Sequence, residues 1–357
     1  SNGGHTQEAA SGLYCSVGRD VFRRDHEQGV WQFVLPDQFD TFGMEPLERP
    51  QPSPDGRHGA FVAVSGQERR VCIFTLPGQA VRILAGPLTG VYGMSWSPDG
   101  GRLCVIAGDP SVGVLSIDEH APRANLSVFS LFVAGKEDAD LSPIAGSIVL
   151  PGFPRWSPAG DAVAVVGLER RGSQVALVIT MDGREGSLVT GQRVLLGATA
   201  WTASGSLLCA VTGRDGLVHV QLVNTATGAP TEVGEPWDDV CWLSIIDRRL
   251  LVAGKAGNTW VIADVTNGTR TVLTTTFSSI EEVAAGPGSL WIIAPAESGG
   301  LGLWSMDLQG QQLHLHITAP AIHGISLRQD GTTAAVMAGP TDAEIVRVYT
   351  VDQDKGT

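Results

Sequence analysis

The sequence is poor in lysine, in long apolar runs and in paired cysteines, and each shortage disfavours a class of protein. Three of its 24 basic residues are lysines, and 37 acidic residues bring the formal net charge to −13. Proteins that bind nucleic acid through phosphate contacts usually carry the opposite charge, so no nucleic-acid partner is expected. Because no apolar run reaches the length of a membrane-spanning helix, no membrane span is expected in this chain either.

The five cysteines are scattered along the chain, at Cys15, Cys72, Cys104, Cys209 and Cys241. None forms a Cys-x-x-Cys pair, which argues against a zinc site or a redox motif. Cys72, Cys104 and Cys209 lie inside apolar, strand-like runs, where cysteine acts as a small buried hydrophobic residue. Unpaired thiols favour a reducing compartment such as the cytoplasm.

Motifs of the common catalytic sites are missing as well. The sequence has no Gly-x-Ser-x-Gly, no His-Glu-x-x-His and no phosphate-binding loop. His314 and His316 stand two residues apart on a predicted strand, a spacing that could suit a metal, but we interpret them as exposed residues of an outer strand. We therefore predict no catalytic residue, no metal site and no cofactor.

Turn-forming residues are abundant, and they recur with a period. The 357 residues include 45 glycines and 20 prolines, which suits many short strands joined by turns. Ser53-Pro54-Asp55-Gly56, Ser97-Pro98-Asp99-Gly100 and Ser157-Pro158-Ala159-Gly160 each precede an apolar run, and weaker copies follow near residues 205, 248, 288 and 331. Successive spacings are 44, 60, 45, 43, 40 and 43 residues, close to the span of a four-stranded propeller blade.

A second glycine turn follows most of these motifs, 20 to 23 residues later, at Gly78, Gly183, Gly228, Gly268 and Gly310. Each unit is therefore interpreted as strand A, a tight turn, strand B, a loop, strand C, a glycine turn and strand D. Proline presets φ at the second turn position, and glycine supplies the positive φ that closes a hairpin. The nearly continuous apolar B strands indicate burial on both faces.

The Trp-Ser-Pro-Asp-Gly sequence at Trp96–Gly100, followed by an apolar strand, resembles the repeat of TolB-type propellers and of propeller domains in prolyl oligopeptidase relatives. The resemblance covers roughly residues 45 to 352 and implies a β-propeller; for TolB-type proteins it also implies a role in the cell envelope. A WD40-like repeat is only the second interpretation. The one Trp-Asp pair of the sequence, Trp237-Asp238, falls between blades and not at the end of a strand C.

The fold prediction is an all-β, seven-bladed β-propeller of four-stranded antiparallel blades, forming a single domain. Residues 1–44 are an N-terminal segment that closes the ring, and residues 45–357 carry the repeats. Val30–Leu35 is expected to be the outer strand of the last blade, with Leu13–Val17 and Val21–Arg24 as a hairpin at the rim. Eight blades result if the N-terminal strands form a blade of their own.

The 60-residue interval marks an insertion, and we predict a binding site there. About 13 extra residues fall in the B–C loop within Asp109–Leu126, and about 3 fall in the D–A loop within Ile144–Arg155. These two loops open on the same face of a propeller, and loops carry function more often than scaffolds do. The candidate binding residues of the insertion are Asp118, Glu119, His120, Arg123 and Asn125.

Further candidate binding residues are those at the starts of the A strands, where a propeller has the mouth of its central channel. These residues are Tyr92, Phe153, Arg155, Asp238, Asp239, Trp242, Glu282 and His323. The carboxylates, together with Glu281, and the Arg155 guanidinium would make a mouth of mixed charge. Trp96, Trp156 and Trp201, which stand beside the turns, are predicted to pack between blades.

Two functional hypotheses remain open. The first is a non-enzymatic propeller that acts as a scaffold or sensor and binds a protein or peptide of basic or mixed charge, in a complex or as part of a larger chain. The second is a small-ligand binder or a hydrolase- or lyase-type enzyme with its site at the channel mouth, because the fold alone excludes neither.

Overall fold

The computed structural model describes only part of the chain. The described residues are 5–9, 12–17, 20–24, 31–33, 45–46, 51–55, 57–65, 68–75, 81–84, 88, 90–108, 115–116, 125–126, 128–149, 154–168, 174–182, 185–187, 193–311, 313–327, 333–339 and 345–350. Every regular element within these ranges is a β-strand. A search of the same residues finds no helix that could span a membrane.

The strands are short and follow one another closely along the chain. In the first half they are β1 (His5–Ala9), β2 (Gly12–Val17), β3 (Asp20–Arg24), β4 (Trp31–Phe33), β5 (Glu45–Pro46), β6 (Gln51–Pro52), β7 (His58–Ser65), β8 (Glu68–Thr75), β9 (Val81–Ile83), β10 (Val91–Trp96), β11 (Arg102–Gly108), β12 (Leu115–Ser116), β13 (Asn125–Leu126), β14 (Val128–Gly135), β15 (Ser142–Val149), β16 (Arg155–Trp156) and β17 (Ala162–Leu168). In the second half they are β18 (Gln174–Thr180), β19 (Glu185–Ser187), β20 (Arg193–Trp201), β21 (Leu207–Thr212), β22 (Val218–Val223), β23 (Pro230–Glu232), β24 (Asp239–Ile246), β25 (Arg249–Ala256), β26 (Thr259–Asp264), β27 (Thr271–Phe277), β28 (Glu282–Gly286), β29 (Ser289–Pro295), β30 (Leu301–Asp307), β31 (His314–Ala319), β32 (Ala321–Leu327), β33 (Thr333–Gly339) and β34 (Ile345–Thr350).

The chain divides into two compact units, each built of antiparallel sheets. The first unit comprises residues 1–36, 55–57 and 237–357, and the second comprises residues 37–54 and 58–236. Sheets of the first unit have the orders β1-β2-β3-β4, β24-β25-β26-β27, β28-β29-β30-β31 and β32-β33-β34. Those of the second unit have the orders β5-β7-β8-β9 (with β6 also on β7), β10-β11-β14-β15-β17-β18-β19 (with β16 also on β17), β12-β13 and β20-β21-β22-β23. In the eight-stranded sheet, the pair Val149–Leu168 joins two four-stranded halves, β10-β11-β14-β15 and β16-β17-β18-β19, which are treated below as two sheets.

The repeated Ser-Pro motif forms the tight turn between strands A and B, as predicted. In the second copy the Gly100 N–H donates to the Ser97 carbonyl at 2.8 Å, and Gly100 has a φ of 66°. The Ser97 hydroxyl accepts the Arg102 N–H at 2.9 Å, so it pairs a backbone group that the turn leaves open. His58 and Ala162 make the same bond to Ser53 and Ser157, at 3.0 and 3.1 Å.

The cores lie between neighbouring sheets, and each B strand contributes to two of them. In β11 the side chains of Leu103, Val105 and Ala107 pack on one side, and those of Cys104 and Ile106 pack on the other. All five are fully buried. Successive side chains of a strand point to opposite faces, so a strand covered on both faces must be apolar throughout. The predicted two-sided burial of the B strands is therefore confirmed for β11.

Tryptophans beside the turns join one sheet to the next within the second unit. Trp96 and Trp156 are buried, and Trp201 packs partly buried against an adjacent core. The Trp156 indole N–H donates to the Ser95 carbonyl at 2.8 Å, and that of Trp201 donates to the Arg155 carbonyl at 3.0 Å. A buried indole needs such a partner for its N–H. The predicted packing role of these tryptophans is confirmed.

One N-terminal strand pairs differently from the prediction. Within Val30–Leu35, the described part Trp31–Phe33 pairs with β3, with Trp31 opposite Arg24, and β32, β33 and β34 form a three-stranded sheet without it. The prediction that this segment is the outer strand of the last sheet is therefore wrong. Strands joined by short connections usually pair with each other, and β1 to β4 do so in sequence. The predicted β2–β3 hairpin is confirmed, with Val17 opposite Asp20.

Candidate functional site

The inserted B–C connection of the β10-β11-β14-β15 sheet folds into a small hairpin. Its strands β12 and β13 pair Leu115 with Leu126 and Ser116 with Asn125. The backbone of Asn125 thus lies at the base of the hairpin tip. Asp118, Glu119, His120 and Arg123 belong to the tip itself, residues 117–124, which lies outside the described residues. The predicted insertion is therefore a hairpin added to one sheet of the second unit.

An aromatic pair lies at the end of the sheet from which this hairpin leaves. Tyr92 in β10 is 41% exposed, and its ring meets that of Phe129 in β14 edge-on, with centroids 5.7 Å apart. Phe129 stands opposite Gly108, the last residue of β11 before the inserted connection. Tyrosine offers a large rigid surface with a polar tip, which suits a binding anchor. Tyr92 therefore lies at the end of the sheet where the connection that carries the hairpin begins.

The other two candidates of the second unit are Phe153, which precedes β16, and Arg155, which begins it. Phe153 lies outside the described residues. Arg155 retains an exposed side chain, although partial burial lowers the pKa of its guanidinium. Its backbone carbonyl accepts the Trp201 indole N–H, so β16 is held in place by the next sheet.

In the first unit, the predicted acidic residues have backbone partners. The Asp238 carboxylate accepts the Gly257 N–H at 2.6 Å and so ties the start of β24 to the β25–β26 turn. The Asp239 carboxylate accepts the Val240 N–H at 2.8 Å, beside the irregular pairing between Val240 and Trp242. Trp242 is partly buried and packs against an apolar core. These contacts give the three residues structural roles; their binding role stays a prediction.

Glu282 has the most specific environment among the candidates. Its two carboxylate oxygens accept the N–H groups of Gly324 and Ile325, both at 2.8 Å. These two residues lie in the break of the β32–β33 pairing between His323 and Ser326, where Gly324 has a φ of 70°. Glu282 therefore joins β28 to an irregular segment of β32. His323 lies in that segment, and its side chain is outside what the structure describes.

The predicted mixed-charge mouth combines residues from both units. Arg155 belongs to the second unit, whereas Asp238, Asp239, Glu281 and Glu282 belong to the first. Coulombic effects of Asp239 and Glu281 act together on the Cys241 thiol, whose pKa is raised to about 12 mainly by burial. Asp239 and Glu281 thus act on the same thiol within the first unit, whereas the channel mouth and its Arg155 stay a prediction.

A histidine cluster on β31 was not predicted from the sequence as a contact site. The His316 imidazole stacks on the Trp291 ring, with centroids 4.8 Å apart, and its Nε2 lies 2.7 Å from the Ser305 hydroxyl. Burial, and to a lesser degree His314, lower the pKa of His316 to about 4. The distance would suit a nucleophile and its base, but Ser305 is 2% exposed, which leaves no access for a substrate.

Three of the cysteines are placed where their thiols are unreactive. Cys72, Cys104 and Cys209 are buried, as predicted. Burial raises the pKa of Cys72 and Cys209 to about 12, and it raises that of Cys104 as well. Among the described residues, no group of three His, Cys, Asp or Glu side chains gathers in a way that could hold a metal ion.

Comparisons with known proteins find similar structures. No model of a protein family and no curated protein matches the sequence. A structure of prolyl endopeptidases aligns with a TM-score of 0.64 and 12% identity, over 97% of this chain and 54% of that one. The β-propeller domain of the Trilobed protease from Pyrococcus furiosus aligns with a TM-score of 0.59 and 13% identity, over 87% and 96%. Oligogalacturonate lyase in complex with manganese aligns with a TM-score of 0.60 and 14% identity, over 85% and 90%.

These similarities define the class of fold. The chain is an all-β protein of antiparallel, mostly four-stranded sheets that matches β-propeller domains. It spans about half the length of the prolyl endopeptidase chain. A match to TolB from Acinetobacter baumannii has a TM-score of 0.48, too low to carry an argument, so the particular likeness to TolB rests on the sequence motif. At these identities the comparisons concern the fold and not the activity.

Proposed function

We propose that this protein is a non-enzymatic β-propeller that binds a protein or peptide partner through the β12–β13 hairpin and the neighbouring Tyr92. The observation that carries the proposal is that the connection leaving one end of a sheet contains an extra hairpin, and that this end of the sheet has an exposed tyrosine packed edge-on against Phe129. The hairpin tip includes two acidic residues, Asp118 and Glu119, and the whole chain has a net charge of −13. Both features favour a partner of basic or mixed charge.

The length of the connection supports a role beyond linking two strands. Residues 109–127 join β11 to β14, whereas Ala256–Thr259 suffices to join β25 to β26 in another sheet. A connection longer than about 12–15 residues in a compact fold is uncommon and is usually functional or a linker. Paired strands within the connection favour the first possibility, because a mere linker needs no hairpin.

Deletion of Asp118–Asn125 tests the proposal directly, with partners identified by crosslinking and pull-down from the source cells. The intended result is loss of a partner that the intact chain captures, while far-UV circular dichroism and the unfolding midpoint stay unchanged. Tyr92→Ser should weaken the same partner, because it removes the exposed ring and keeps the strand. If both variants keep every partner with the fold intact, the proposal fails.

A control at the opposite end of the same sheet makes the test specific. Lys136 and Glu137 lie in the turn that joins β14 to β15, and this turn is at the other end of β14 from Phe129. The double substitution Lys136→Ala and Glu137→Ala should leave the captured partners unchanged. If it removes the same partner as the hairpin deletion, binding does not depend on the hairpin end.

We further propose that the sheets form one ring of eight blades. This proposal is supported by the N-terminal strands β1 to β4, which make a complete four-stranded sheet, and by the turn motif, which recurs at about 43-residue intervals on both sides of residue 237. An experimental structure tests it by the number of sheets around the channel. Seven blades, with Trp31–Phe33 added to β34, would overturn it.

A further inference from the structure

A groove at the turn end of two neighbouring sheets in the second unit is open where the equivalent positions of the preceding repeats are filled. The groove has a volume of about 640 Å³ and lies between the β16–β17 turn and the β20–β21 turn. Among the residues that line it are Ser157, Asp161, Ala162, Thr180, Trp201 and Thr225. This volume is within the usual range of small-ligand sites, about 300–1,000 Å³.

The turn motif itself identifies the equivalent residues. Each motif serine accepts, through its hydroxyl, the N–H of the residue that begins strand B: His58 for Ser53, Arg102 for Ser97 and Ala162 for Ser157. Each serine N–H also donates to the carbonyl of that same residue at 2.8 Å. The three positions therefore have the same backbone geometry and differ in their side chains.

In the two preceding repeats, a basic or aromatic side chain at this position meets the next tryptophan. The His58 ring lies 6.4 Å from that of Trp96, measured between centroids. The Arg102 guanidinium carbon lies 5.2 Å from the centroid of Trp156, and its Nη2 donates to the Gly160 carbonyl at 2.6 Å. A guanidinium over an indole ring gains a cation–π interaction as well as its hydrogen bonds.

At the third position, the methyl group of Ala162 cannot extend over Trp201 as the Arg102 side chain extends over Trp156, and both Ala162 and Trp201 line the open groove. A methyl group built on Gly160 would lie 3.4 Å from the Arg102 side chain, whereas one built on the equivalent Gly205 would meet no atom within 4 Å. The acid of the turn also changes place: the third repeat has Ala159 where the second repeat has Asp99, whose carboxylate accepts the Ser97 hydroxyl at 2.5 Å. Asp161, exposed and hydrogen-bonded to the Ser157 hydroxyl at 2.7 Å, stands where the second repeat has Gly101.

We propose that this groove binds an arginine side chain presented by a partner peptide. The guanidinium would stack on Trp201 as Arg102 stacks on Trp156. It would also pair with the Asp161 carboxylate, the counterpart of Asp99, on which Arg102 acts electrostatically in the second repeat. The contact between Arg102 and Trp156 in the second repeat is thus the model for the proposed contact between the ligand and Trp201. This site is distinct from the hairpin, because the A–B turns lie at the opposite end of the strands from the B–C connections.

Fluorine NMR of the 5-fluorotryptophan-labelled full chain tests the proposal, with a capped Gly-Gly-Arg-Gly-Gly peptide as the probe. The Trp201 signal is assigned among the nine tryptophans with a Trp201→Phe variant. We expect this signal to shift saturably, with a dissociation constant of about 1–10 mM, as a single guanidinium contact allows. The same peptide with citrulline in place of arginine keeps the shape and loses the charge, and it should bind at least about tenfold more weakly.

Two variants of the groove provide the matched controls. Ala162→Arg should fill the groove from within, as Arg102 does, and abolish the shift. Asp161→Asn keeps the hydrogen bond to Ser157 and removes the charge, so it should weaken binding about tenfold. Because this substitution changes an exposed side chain, the variant should fold even if Ala162→Arg does not. Arg102→Ala should open a second groove and add a peptide-dependent shift at Trp156.

The proposal is overturned by any of three results. The first is a Trp201 signal that does not move at about 50 mM peptide, well above a millimolar dissociation constant. The second is an equal response to the arginine and citrulline peptides, which would show that binding does not depend on the charge of the guanidinium. The third is undiminished binding to both Asp161→Asn and a folded Ala162→Arg. None of these results bears on the hairpin, whose deletion is tested separately.

Discussion

Glu282 should contribute strongly to stability, because its carboxylate replaces the strand pairing that β32 loses at its irregular segment. Both oxygens accept backbone N–H groups, from Gly324 and Ile325, at 2.8 Å. A hydrogen bond to a charged group contributes about 1.5–3 kcal/mol to stability, and a backbone donor left without a partner costs a similar amount. Glu282→Gln keeps one acceptor and turns an amide donor toward an N–H. We expect it to lower the free energy of unfolding by about 2 kcal/mol, and Glu282→Ala by about 3 kcal/mol.

The neighbouring Glu281 is the matched control for this experiment. It has the same charge and an exposed side chain, and its carboxylate accepts the Ser279 hydroxyl at 2.9 Å. Glu281→Gln should therefore change the free energy of unfolding by less than about 0.5 kcal/mol. A general effect of negative charge in this region would change the free energy of unfolding of both variants by the same amount.

Urea unfolding followed by tryptophan fluorescence and by far-UV circular dichroism measures these differences. Coincident transitions from the two probes establish that one free energy describes the unfolding. The reasoning is refuted if Glu282→Gln and Glu281→Gln have the same unfolding midpoint. It is also refuted if Glu282→Gln keeps full stability and loses a bound partner, since Glu282 would then be a binding residue, as the sequence predicts.

Three further predictions concern other described side chains. The pKa of His316 is lowered to about 4, mainly by burial, so the unfolded chain takes up a proton first as the pH falls from about 6.5 to 4. Stability should decrease with falling pH in that window, by about 1–2 kcal/mol after allowance for partial exposure, and His316→Gln should flatten this part of a pH-dependent urea titration. Arg248 has a φ of 66° in the β24–β25 turn, so Arg248→Gly should raise the free energy of unfolding by about 0.5–1 kcal/mol, whereas Gly257→Ala, at a φ of 64°, should lower it by about 1 kcal/mol. Because burial raises the pKa of the Cys72 and Cys209 thiols to about 12, peptide mapping after iodoacetamide treatment at pH 8 should find both unlabelled in the native protein and labelled in urea; labelling in the native state would contradict their burial.

Features that depend on neighbours in the chain could be predicted from the sequence. The Ser-Pro turns form where serine, proline and glycine stand together, because each residue type satisfies a local backbone requirement. Apolar runs such as Leu103–Ala107 indicate strands buried on both faces, and the structure confirms this. Cys72, Cys104 and Cys209 were predicted to be buried for the same reason. The 60-residue interval located the added hairpin, since an insertion changes the period wherever it occurs.

Apart from the packing of the repeated tryptophans, contacts between sheets could not be predicted, because they depend on residues far apart in the chain. The sequence indicates that Glu282 begins an A strand, but only the structure shows that its carboxylate accepts the backbone N–H groups of Gly324 and Ile325. From its sequence, Trp31–Phe33 could pair either with β3 or with the last sheet, at β34. It pairs with β3, because short connections join β1 to β4 in order along the chain. The repeat at Ala162 shows the same limit. The sequence determines that a short side chain begins β17, but only the tertiary structure shows that Arg102 reaches the next sheet from the equivalent position and that beside Trp201 the space stays open. Local chemistry sets the strands and turns, whereas the packing of one sheet on the next decides which side chains meet.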